Sequence, residues 1–138
     1  MTTDVAIWWL RTAIGDLAAA DVLLGPSGVT TYRHPAYFAQ QAAEKAIKAT
    51  ISLDGEPPVT HDLVRLIARR PEQARMPKID FFALAAPHTA ARYPELDDAP
   101  YTRAEAEQLV ADAAAVVGAV RAYLDELGLL GGMDLSPI

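Results

Sequence analysis

Apolar residues recur at every third or fourth position along most of this chain, and no stretch alternates at every second one. That period belongs to the α-helix and excludes a half-buried sheet. Trp9, Ala13, Leu17, Ala20 and Leu24 form one stripe, widened by Ile7, Leu10 and Ile14. Ala36, Ala39, Ala43, Ala46, Ile47 and Thr50 form a second stripe of small side chains, which lets another helix approach closely. Ala106, Leu109, Ala113, Val116, Val117, Val120, Leu124 and Leu127 form a third. Alanine, the best helix former, supplies 27 of the 138 residues and points the same way.

Breakers and caps divide the pattern. Thr3 caps a first helix from about Asp4 to Leu24, and Gly25-Pro26-Ser27-Gly28 stops it. Pro35 opens a second helix, Ala36 to Leu53. Thr60 is placed to cap a short third helix, His61 to Arg69, with Leu63, Leu66 and Ile67 inward and Pro71 after it. A fourth starts near Pro77 and runs to Arg92, with a kink or break expected at Pro87. Thr102-Arg-Ala-Glu105 is a capping box for the fifth, which Gly128 ends. The expectation is an all-α, up-and-down antiparallel bundle of four long helices and one short one over residues 1–128, with 129–138 as a flexible tail.

Composition narrows the chemistry. The absence of Cys excludes a disulfide scaffold and a thiolate metal site, and three scattered His leave little for an imidazole one, so neither metal nor cofactor is expected. No run of apolar residues is long enough to span a membrane, and Met1-Thr-Thr-Asp4 carries no positively charged leader, so a cytoplasmic location is expected. A net charge of −6 argues against broad nucleic-acid binding but leaves room for a local basic site. Residues 61–78 carry Arg65, Arg69, Arg70, Arg75 and Lys78 against Asp62 and Glu72, whereas residues 92–112 are mainly acidic. Such polarity suits self-association or a charged partner, and equally describes solvated loops and helix ends. Trp8 and Trp9 are adjacent, so both cannot face one core; one is expected at a dimer seam or beneath a loop.

Several motifs together resemble the small HEPN domain. They are Trp9 with Asp16-Leu17, then Gln40-Gln-Ala-Ala-Glu-Lys-Ala-Ile-Lys-Ala49, His61-Asp62-Leu63, Arg92-Tyr93-Pro94 and Tyr101-Thr102. The resemblance implies a helical bundle that pairs as a homodimer. It also implies one of two roles. Some HEPN proteins are nucleotide-binding or partner modules, often in toxin–antitoxin pairs with a minimal nucleotidyltransferase. Others are metal-independent endoribonucleases that use an Arg, four to six residues, then a His. No His follows any Arg at that spacing here. A non-enzymatic nucleotide- or RNA-binding module is therefore the favoured reading, and an endoribonuclease using Arg92 with His88 or His61 the alternative.

Three sets of side chains are candidates for the site. His88 and Arg92 share a helix face if the helix continues past Pro87, where they could hold a phosphodiester; the plainer reading is a His satisfying helix-end carbonyls and an Arg paired with Glu95 or Asp97. Tyr37, Gln41, Lys45 and Lys48 lie on one side of the second helix, offering Lys donors and a ring to a phosphate-bearing ligand; the plainer reading is surface lysines around a Glu44–Lys48 pair one turn apart, and Glu44, Lys45 and Arg92 could instead form a buried structural network. His61 could meet a phosphate at the start of the third helix, or pack locally.

Overall fold

The computed structural model describes residues 2–25, 31–92 and 101–138, apart from the side chains of residues 89–92. It is an all-α bundle in the order α1 (Thr2–Leu23), α2 (Arg33–Ile51), α3 (Leu63–Arg69), α4 (Phe81–Arg92) and α5 (Arg103–Glu126), with no strand among the described residues. The expected fold class is the one observed.

α2 is the hub, because it packs against each of the other four helices. Six of its alanines (Ala36, Ala39, Ala42, Ala43, Ala46 and Ala49) are fully buried. Their small size is what allows neighbours to close in on every side. Fourteen of its nineteen residues are buried, so α2 has no polar face left for solvent. Leu10 of α1, Leu63 and Leu66 of α3, Leu84 of α4, and Val116, Val120 and Leu124 of α5 complete the core around it.

The helix ends follow their local chemistry, with some shifts from the sequence expectation. α1 already includes Thr2, so Thr3 sits inside the helix rather than capping it. Asp62, not Thr60, caps α3: its side chain accepts from the Arg65 N–H at 3.2 Å, while the Thr60 hydroxyl accepts from the Asp62 N–H. His61 thus lies just outside the helix. α4 begins at Phe81 rather than near Pro77, because the Asp80 carboxylate accepts from the Ala83 N–H at 3.0 Å. The helix continues through Pro87 to Arg92 instead of breaking there. The loss is one hydrogen bond, since Pro87 has no N–H to donate to Ala83.

α5 has the expected capping box, with Thr102 and Glu105 each accepting from the other's backbone N–H. At its far end Gly128 adopts φ 74°, and the N–H groups of Gly128 and Leu129 donate to Asp125 and Leu124. This is the left-handed cap that glycine adopts at least cost. Residues 129–138, expected to form a tail, return along the bundle. Leu130 is buried, and Arg11 Nε donates to the Ser136 carbonyl at 2.9 Å. Gly15 makes this approach possible, because a Cβ there would lie 2.5 Å from the Ile138 carbonyl oxygen.

Replacing Thr102 with Ala is expected to lower stability by about 1 kcal/mol in urea unfolding. The two Thr102 hydrogen bonds hold the Glu105 carboxyl below its ordinary value. Its contribution is therefore present above the normal Glu range and lost as the pH falls through the lowered value. The difference between wild type and Thr102→Ala should narrow on acidification over that window.

Candidate functional site

The enclosure of α2 forces a decision on its polar residues. Gln40, Gln41, Glu44 and Lys48 are all buried, so each must find a partner inside the protein. Glu44 is the centre. Its Oε2 accepts from Lys48 Nζ at 3.1 Å, and its Oε1 accepts from Gln40 Nε2 at 3.3 Å. Gln40 Oε1 in turn accepts from Gln41 Nε2 at 2.6 Å. The Lys48 ammonium also lies 5.4 Å from the centre of the Trp9 ring, where the ring's negative face adds to its stabilisation.

This network reaches out of α2 to His61. His61 Nδ1 lies 3.1 and 3.2 Å from the two Glu44 oxygens, and the His61 carbonyl accepts from Gln40 Nε2 at 3.3 Å. Side chain and backbone of His61 are thus both anchored to α2. The imidazole remains about half exposed, at 49%. It stacks on His88 of α4, with ring centres 4.8 Å apart and planes 23° from parallel. Tyr37 of α2 lies beyond His88, 6.3 Å away and 20° from parallel. Three segments distant in sequence therefore build one column of rings.

The two imidazoles line an open groove of about 610 Å³ with Asp62, Val64, Phe82, Ala85 and Ala86. Phe82, at its rim, is 77% exposed. The continuity of α4 past Pro87 places Arg92 one turn beyond His88; the Arg92 side chain, with Tyr93 and Pro94, lies outside the described residues.

The sequence candidates thus separate. His61 and His88 come together at the groove, and Tyr37 stacks on His88 without lining it. Gln41 and Lys48 turn into the Glu44 network. Lys45 pairs with Asp16 of α1 at 2.6 Å and so ties the first two helices together. Lys48, rather than Lys45, is the cation that balances Glu44. Of the tryptophans, Trp9 packs on the core and Trp8 is 51% exposed. Sequence reasoning missed Phe82, although its signal was present: Phe81 and Phe82 are adjacent on one helix, and Phe81 takes the place against the core.

The HEPN domain family matches residues 6–123. This chain belongs to the HEPN domain family. The crystal structure of TT1696 from Thermus thermophilus is similar, at 31% identity and a TM-score of 0.75, over 86% of this chain and 98% of that one. No curated protein matches the chain. Among the described residues, no group of three or more His, Cys, Asp or Glu is arranged to hold a metal ion, and no helix is long and apolar enough to cross a membrane.

Breaking the buried pair on one side should be costly. Glu44→Ala strands the Lys48 ammonium and is expected to destabilise by about 3 kcal/mol. Glu44→Leu combined with Lys48→Met removes both charges and should recover much of that loss. A double-mutant cycle in denaturant unfolding measures the coupling.

Proposed function

We propose that this HEPN protein is a homodimeric binding module that takes a nucleotide or a short RNA in the groove between the start of α3 and α4. The observation that carries this reading is the stacked pair His61 and His88 on the groove wall, with Tyr37 stacked on His88 outside the groove lining. The column comes from three separate segments, and the Glu44 network holds one member of it from behind. Such a wall offers imidazole nitrogens and flat ring faces to a ligand that combines an anionic group with an aromatic base. The overall charge of −6 fits a small local site better than a long nucleic-acid track. Family membership supports the homodimer, and with it a toxin–antitoxin role beside a nucleotidyltransferase partner.

The alternative, a metal-independent endoribonuclease, is favoured by one specific contact. Glu44 orients His61 beside a second imidazole, and acid–base catalysis requires two positioned proton-transfer groups.

Isothermal titration calorimetry with ATP, GTP and a short RNA is expected to show binding to at least one of them, weakened about tenfold or more by His88→Ala. Absence of heat with all three would overturn the binding reading. Light scattering at micromolar concentration should give the mass of two chains; the mass of one would remove the dimer. RNA degradation in the presence of a chelator that is lost in both His61→Ala and His88→Ala would decide for the nuclease.

A further inference from the structure

The geometry points to a second level of selectivity in the groove, resting on the reading above: we infer that Glu44 fixes His61 as a hydrogen-bond acceptor and that this acceptor reads a ribose hydroxyl. A neutral imidazole has one donor nitrogen and one acceptor nitrogen, and the partner of one decides the role of the other. His61 Nδ1 faces both oxygens of Glu44, at 3.1 and 3.2 Å. A carboxylate accepts and does not donate, so Nδ1 carries the hydrogen and Nε2 is left as the acceptor. Lys48, 3.1 Å from Glu44 Oε2, already balances the buried negative charge. The carboxylate therefore does not require a charged His61 as its counter-ion. Gln40 holds the His61 carbonyl, so the backbone that carries the ring is fixed to α2.

The two walls of the groove then differ in kind. On the α3 side stand His61, with an acceptor nitrogen, and Asp62, whose carboxylate caps α3 through Oδ1. Beside the apolar Val64, this wall offers two acceptors and a negative charge, so it repels a phosphate and suits a hydroxyl donor. On the α4 side, Phe82 and His88 are separated by about 9 Å along the helix axis at about 1.5 Å per residue. Between them Ala85 and Ala86 leave room. A nucleotide with its base at Phe82 and its phosphate toward His88 presents its sugar to the acceptor wall. Glu44 touches no ligand in this arrangement and acts as a positioning residue.

The tautomer can be read without any ligand. In the wild-type protein, nitrogen-15 NMR of the His61 ring above the ordinary imidazole range of about 6.5 should show a protonated Nδ1 and a bare Nε2. A protonated Nε2 with a bare Nδ1 would overturn the inference whatever the groove binds. Calorimetry with ATP, 2′-deoxy-ATP and 2′,3′-dideoxy-ATP should show affinity falling by about tenfold or more across the series. Equal affinities would sink the sugar reading and leave the binding site standing; no binding by any of them would remove both. In Glu44→Gln the amide can accept from or donate to Nδ1. The two tautomers should then mix and the preference for ATP over 2′-deoxy-ATP should shrink. Should that variant not fold, the wild-type spectrum and the nucleotide series still decide.

Discussion

The ion pair between Glu44 and Lys48 is the contact on which the rest of this structure turns. An isolated carboxylate in a protein interior is strongly unfavourable, and here it lies on the one helix that all the others cover. Lys48 supplies the counter-charge within a single turn, and Gln40 supplies a neutral donor. What makes the arrangement more than a local repair is His61. The residue that joins the network from outside α2 is also the residue that faces the groove. The polar core and the candidate site are therefore one connected system, and a change in either reaches the other through Glu44.

Alanine explains why this system can exist. Larger side chains along α2 would hold its neighbours apart and let water reach Glu44 and Lys48. With alanine at most inward positions, the helices close around the charges and desolvate them. Burial of this kind weakens a protein unless geometry compensates, so the network contributes more to a defined arrangement than to net stability. The defined element in this case is the orientation of one imidazole. Trp9 belongs to the same logic, since the Lys48 ammonium lies over its ring.

The HEPN family match spans residues 6–123, the whole of the helical bundle but its ends. The family's Arg-to-His spacing is missing, yet two imidazoles still meet, brought together by the turn before α3 and by an α4 that continues through Pro87. Phe82 stands exposed at the rim of the groove they line. The site is thus assembled from the middle of the chain rather than from a single motif on one helix.

Local chemistry is what the amino-acid order determined unaided. The helical period, the Thr102–Glu105 capping box and the glycine stop at Gly128 each depend on residues within a few positions of one another, and each appears where the pattern places it. Boundaries that turned on a choice between neighbouring caps, such as Thr60 against Asp62, needed the backbone itself. The polar side of α2 shows the other limit. From spacing alone, Tyr37, Gln41, Lys45 and Lys48 read as one face of donors, because helical periodicity gives direction around an axis and nothing about what lies there. The Glu44–Lys48 pair, one turn apart, was legible from spacing, but tertiary packing turned it inward, sent Lys45 to Asp16 and left Tyr37 to stack on His88. Contacts across 17 or 29 positions of sequence, as in His61–Glu44 and Lys45–Asp16, leave no local signature, so only the folded chain could choose those partners.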